Sequence, residues 1–432
     1  MPSRARPRIL DPDHRWYPRV LVAAVATVVT VAYGVILYGF SVLVTEQAAG
    51  GVFSATVLSG AFGGAVLVGG AASVAVGRVA DRHGVRAVMG VGSLLAGGGM
   101  VGFAAARQPW QVLAVWWLVL GPATAMTFYE PAFVVIEQWF DRGSRNKAVA
   151  TLTFLAGLAG PIFIPVTSWL VGALGWRQAT MVLGVLLAAV GGATALLVIR
   201  PAPSVLARRE GADAPPVPLR GVLASRRFLW FTAGTCLALL AFEAIIVHRV
   251  ARFEAAGFAV ATVAFWAAAS GVASFPGRLV LPRMADRFRG TRLFVLVLVG
   301  MVIAAALAIG GRSDVELVGH FTVFGLVFGA AIPLRAVIMS DWYAGVGFGR
   351  LMGLQAAAIA LSRAAGPTLT GALRDATGSY GPPMAVLTGV LVAAVACVLV
   401  AERAADPLAR HPPARHPPGS PEAAPTSSPT TP

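Results

Sequence analysis

Gly77-Arg78-Val79-Ala80-Asp81-Arg82-His83-Gly84-Val85-Arg86 joins one long apolar run to the next, and Arg283-Met284-Ala285-Asp286-Arg287 repeats its centre about 205 residues later. Two further pairs recur at nearly that spacing. Gln138-Trp139-Phe140 matches Asp341-Trp342-Tyr343, and Gly160-Pro161 matches Gly366-Pro367. Self-similarity at a fixed period marks a duplicated structural unit. In both copies a short basic turn separates apolar runs, so the unit is a bundle of apolar helices. Gly77 and Gly84 let the first turn be tight, and Asp81 is placed to meet a helix end or an arginine of the other half.

Composition agrees with that reading. The chain has 432 residues, 57% of them hydrophobic and 12% charged, and a mean hydropathy of +0.75. Soluble domains are nearer a quarter charged, which excludes a single water-soluble domain. The net charge of +15 would suggest nucleic acid in a soluble protein, but this chain is too apolar to present a basic face to water, and no nucleic-acid partner is expected. Cys236 and Cys397 lie in apolar runs without disulfide or metal-ligand spacing. The sequence holds no phosphate-binding loop, His-Glu-x-x-His zinc motif or Gly-x-Ser-x-Gly elbow, so neither an enzyme nor a cofactor is expected.

A hydrocarbon core about 30 Å thick needs about 20 apolar helical residues. Twelve runs fit: 20–43, 53–76, 87–106, 112–137, 148–172, 178–199, 228–248, 260–281, 293–311, 317–340, 352–373 and 383–401. The expected architecture is an all-α polytopic membrane protein of 12 transmembrane helices. It comprises a tail at 1–19, a six-helix bundle at 20–199, a linker at 200–227, a second six-helix bundle at 228–401 and a disordered Pro-rich tail at 402–432. Of the 34 basic residues, 25 fall in the tails and loops on one side, which by the positive-inside rule is the cytoplasm. Both termini are therefore expected in the cytoplasm of a cell that carries the chain in its plasma membrane. Trp16, Trp110, Trp139, Trp176 and Trp342 sit near span ends and read as interface anchors.

The Gly77–Arg86 segment between spans 2 and 3 of a 6+6 repeat resembles the signature loop of the major facilitator superfamily. The resemblance implies alternating-access transport, with Gly77, Asp81, Arg82, Gly84 and Arg86, and their counterparts Asp286 and Arg287, forming a cytoplasmic latch between the halves. Within the superfamily, Glu130-Pro131-Ala132, Gln138-Trp139-Phe140, Gly160-Pro161 and Gly175-Trp176-Arg177 are similar to the monocarboxylate and oxalate/formate branch, as is Tyr38-Gly39-Phe40-Ser41-Val42. Arg278, eight residues before Asp286, occupies the place of that branch's carboxylate-binding arginine, and Arg363 resembles the basic residue that oxalate/formate carriers hold in helix 11. Ser274 stands where monocarboxylate carriers have an acid, and Tyr38 where they have a lysine.

Ionisable residues inside a bilayer are functional candidates by default. Spans 3, 6, 9 and 12 carry none, and in the resembled fold these face lipid. Glu130, Glu243, Arg278, Arg335 and Arg363 fall on spans 4, 7, 8, 10 and 11. Arg278 and Arg363 offer planar forks for a carboxylate, and the hydroxyls of Tyr38 and Tyr129 are further substrate contacts. Glu130, Glu243 and His248 are the proton-coupling candidates. Arg335 reads equally as an interface-seeking, interbundle or ligand residue. Pro131, Gly160-Pro161 and Gly366-Pro367 are hinge candidates.

These features suggest a secondary carrier of a small organic anion, a mono- or dicarboxylate, with protons or a counter-anion as coupling partner. A second reading, a proton-coupled exporter of hydrophobic or cationic compounds, assigns cargo contact to Glu130 or Glu243 and a structural role to the arginines. A membrane sensor would need a folded soluble module, which neither linker nor tail offers.

Overall fold

The structure, a computed structural model, describes residues 12, 14–44, 52–202, 219–344 and 347–405. Most of the amino-terminal tail, linker residues 203–218 and the tail from residue 406 lie outside these.

Among the described residues are twelve long helical segments: α1 Tyr17–Val44, α2 Thr56–His83, α3 Val85–Ala105, α4 Pro109–Trp139, α5 Gly143–Leu174, α6 Trp176–Val198, α7 Arg226–Glu254, α8 Val260–Met284, α9 Gly290–Gly310, α10 Asp314–Tyr343, α11 Phe348–Thr377 and α12 Gly381–Arg403. They are helical because a chain in lipid must satisfy its own backbone polar groups. Eleven are long and apolar enough to cross a membrane. The exception is α11, which spans 30 residues but carries Arg350, Gln355, Arg363, Arg374 and Asp375. Ser54, Asp141, Ser225 and Ser313 accept hydrogen bonds from first-turn N–H groups at the starts of α2, α5, α7 and α10, filling acceptor positions that each helix start leaves open. Gly84, with φ of 78°, turns the chain between α2 and α3 within one residue, a conformation other residues seldom adopt.

Each helix overruns its expected span by a few residues. Arg78, Asp81 and Arg82 therefore belong to the last turns of α2 and not to a loop. Arg249 and Arg252, expected in an outer loop, lie within α7. The apolar pattern stops before them, but tertiary partners carry the helix on. Arg252 donates to the carbonyls of Ala308, Ile309 and Gly310 at the end of α9, at 2.8, 3.0 and 2.6 Å. Arg249 donates to Ser270 Oγ at 3.0 Å and lies over the rings of Phe321 and Phe324.

Two helices are broken, each three residues before a proline. α4 is interrupted at Phe128, whose ψ of −154° is extended, and α5 at Leu158. Pro131 and Pro161 have no N–H to offer the carbonyls of Thr127 and Gly157, and their rings crowd those same carbonyls. Pro367 lies inside an unbroken α11, so the repeated Gly-Pro pair does not act alike in the two halves.

Leu94, Val185, Leu296 and Val392 on α3, α6, α9 and α12 are exposed, as expected of helices that face lipid. Three of the tryptophans expected at the interface are half-buried and pack on neighbouring rings: Trp139 on Tyr17, Trp176 on Phe103 and Trp342 on Phe231. The halves meet along α2 with α11 and α5 with α8. A Cβ on Gly77 would collide with the carbonyl of Gly349, and one on Gly353 with that of Ser73. Only small residues permit so close a backbone approach.

Candidate functional site

Both ends of the helical region, Tyr17 and Arg403, and the α2–α3 turn lie on one face, the terminal face. The halves are joined there. The Asp81 carboxylate accepts from the N–H groups of Gly349 at 2.8 Å and Arg350 at 2.9 Å, the free donors at the positive end of α11. Its counterpart Asp286 accepts from Asn146 Nδ2 at 2.8 Å in the first turn of α5, and Arg145 pairs with Asp341. Arg86 donates to the Leu196 carbonyl at the end of α6. Arg82 and Arg287 are exposed. Arg145, Asn146 and Asp341 were not site candidates by sequence, although the repeat carried the signal: if Asp81 meets the start of α11, Asp286 should meet the start of α5.

Beyond this seam, toward the opposite face, lies a cavity of about 320 Å³. α2 supplies Phe62–Ser73 to its wall and Gly77–Asp81 to the seam, while α11 supplies Ala356–Pro367 to the wall and Gly349–Gly353 to the seam. Tyr33, Trp116, Phe128, Glu130, Glu243 and Arg363 also line it. Arg363 and Glu243 form an ion pair at 2.9 Å, with side chains 40% and 29% exposed. Both can therefore be reached from the cavity. Glu130 sits at the start of the second half of α4 and pairs with Arg335 Nη2 at 3.0 Å, across the halves. Arg335 is buried and also reaches Gln355 at 3.4 Å. Removing Glu130 would leave the buried Arg335 charge bare, which is strongly destabilising.

Arg278 lies outside the lining of that cavity, enclosed by α4, α5 and α10. It donates to Tyr129 Oη at 3.5 Å and to the Thr153 carbonyl at 3.4 Å, and its buried Nε has no acceptor. It has no ion-pair partner among the described residues. Tyr129 links it to the cavity wall, since the Tyr129 and Tyr33 rings are 5.0 Å apart. Tyr38 packs on Gly160, where a Cβ would come within 3.0 Å of its ring. His248 Nε2 lies 3.0 Å from the Pro367 carbonyl, and Gly366 lets α11 touch the α7 backbone at Leu240. Among the described residues no group of three or more His, Cys, Asp or Glu could hold a metal.

The sequence profile of the Major Facilitator Superfamily matches residues 19–314 and 253–430. The chain belongs to that superfamily. It is a multi-pass membrane transporter. Monocarboxylate transporter 11 of mouse is 27% identical over 338 residues, 74% of this chain and 73% of the mouse protein. The human protein of that name is 27% identical over 343 residues, 74% and 69% of the two chains. Among solved structures, the human organic anion transporter MFSD10 (TETRAN) aligns with a TM-score of 0.66 at 16% identity over 88% of this chain and 98% of that one. The E. coli fucose:proton symporter FucP aligns with a TM-score of 0.70 at 13% identity over 89% and 98%. The sequence relatives give this facilitator its likeness to the monocarboxylate branch; the solved structures show its fold alone.

Proposed function

We propose that this facilitator moves a small organic anion, a carboxylate, by alternating access, with the terminal face in the cytoplasm. The observation that carries the reading is the Glu243–Arg363 pair exposed in the cavity wall. A guanidinium that already holds one carboxylate in a partly dry site has the geometry to hold another. When Glu243 takes a proton it no longer needs Arg363, and the substrate carboxylate takes its place; net charge at the site is then conserved. Anion binding and protonation thus become one exchange.

Arg278 is the second cation of the pathway. A half-buried charge without a counter-charge is poorly compensated, and an incoming carboxylate supplies one. In the described arrangement α5 covers it; opening of the α5–α8 seam exposes it on the terminal side, so the anion passes from Arg363 to Arg278 as the halves rock. The 27% identity to monocarboxylate transporter 11 supports a carboxylate.

The test is uptake of labelled lactate, oxalate and formate into proteoliposomes with and without an inward proton gradient. Saturable, gradient-stimulated uptake lost in Arg363→Gln and Arg278→Gln is the expected result. The apolar cavity walls favour the exporter as second reading. Drug resistance conferred on a sensitive host, abolished by Glu130→Gln and kept in Arg278→Gln, would establish that reading and overturn the first.

A further inference from the structure

The cavity carries its cation on the second half and its aromatic surface on the first, with one carboxylate from each, Glu243 and Glu130. Arg363 and Glu243 come from α11 and α7, and among the described lining residues Arg363 is the one cation. The first half contributes aromatic surface: Tyr33 stacked on Phe128 with ring centroids 3.9 Å apart, and Phe62 edge-on to Trp116 at 6.0 Å. The Trp116 indole Nε1 is buried and has no acceptor. Ile36 of α1 and Ile359 of α11 extend the apolar wall. A volume of about 320 Å³ lies at the lower end of sites that enclose drug-sized molecules.

Formate would occupy the Arg363 corner and leave the aromatic wall wet. Oxalate would bring a second negative charge to a lining whose remaining ionisable groups are carboxylates. We infer that the substrate is a monocarboxylate with an extended apolar or aryl body, its head at Arg363 and its body against Phe62, Phe128 and Ile359. This rests on the anion reading and narrows it to one substrate class. Each methylene buried against such a wall strengthens binding about fourfold. A ring on the stacked Tyr33–Phe128 surface gains further from offset contact.

The experiment measures apparent Kd from ligand-induced thermal stabilisation of the purified full-length chain at pH 6. The probes are formate, oxalate, lactate, the straight-chain acids from acetate to hexanoate, and 3-phenylpropionate. The expected result is an affinity rising about fourfold per methylene, with 3-phenylpropionate tighter than lactate, a series flattened in Phe128→Ala, lost in Arg363→Gln and kept in Arg363→Lys. A flat series that still requires Arg363, or tightest binding by oxalate or formate, overturns the apolar-body inference and leaves the anion reading intact. A series that survives Arg363→Gln reports amphiphile partitioning and overturns the inference. Stabilisation by tetraphenylphosphonium with none by any carboxylate overturns the anion reading itself.

Discussion

Asp81 holds the seam by a contact that a neutral side chain cannot reproduce. Its two oxygens accept from the first free N–H groups of α11, where a full negative charge faces the positive end of the helix dipole. Asp81→Asn keeps one acceptor and loses the charge, so the closed seam weakens by about 1 kcal/mol, about fivefold in the balance between seam-closed and seam-open forms. Spin-label distances across the terminal face, for instance between α2 and α11, check this; an unchanged distribution refutes it. The sequence placed Asp81 against a helix end or an arginine of the other half, because it stood beside a glycine turn and recurred as Asp286; the helix end is what it meets. Arg335 was not legible in the same way. It shares a helix with Pro333 and lies near the span end, and one dimension of sequence cannot say that Glu130, 205 residues away, faces it across the halves. Removing both charges tests the pairing: Arg335→Gln alone lowers the unfolding midpoint strongly, and adding Glu130→Gln restores most of the loss, since the double variant buries no bare charge.

At the scale of elements, the hinges separate into two kinds. α5 is broken at Leu158 by Pro161, whereas α11 runs straight through Pro367, although sequence alone gave the two Gly-Pro pairs the same standing. The difference lies in packing. Gly366 rests on the α7 backbone, and the Pro367 carbonyl is held by His248, so α11 is clamped where α5 has Gly157 facing Arg278 and Gly160 facing Tyr38. Pro161→Ala returns a donor to the Gly157 carbonyl and allows α5 to close into one helix. The variant is expected to unfold at a higher temperature and to turn over more slowly, because a straight α5 moves less readily against Arg278. Pro367→Ala changes turnover less. Equal effects of the two substitutions in parallel uptake and melting measurements would show that the break in α5 is incidental. The helices themselves were legible from run length because lipid demands it. The extension of α7 through Arg249 and Arg252 was hidden, since its cause is the end of α9 and two phenyl rings of α10.

For the whole molecule, the proposed exchange of Glu243 for a substrate carboxylate at Arg363 predicts the sign of the pH dependence. In the proposed exchange the protonated form of Glu243 leaves Arg363 to the substrate, whereas the ionised form keeps the internal pair and competes with it as a tethered carboxylate, so anion binding is expected to strengthen as pH falls. In Glu243→Gln the competitor is gone at every pH. Anion affinity in that variant is expected to match or exceed that of the wild type at low pH and to show little further pH dependence. Substrate exchange across proteoliposomes persists, because Arg363 still binds and the halves still rock. Accumulation driven by a proton gradient disappears, because no proton travels with the anion. Arg363→Gln gives the opposite pattern, losing exchange and accumulation together. Glu130→Gln separates this site from the inter-half pair: it releases Arg335, lowers the midpoint of unfolding and leaves the pH dependence of anion binding in place. If Glu130→Gln abolished the pH dependence and Glu243→Gln kept it, the proton would travel on the carboxylate beside Arg335, and coupling would run through the contact between the halves instead of through the cavity wall.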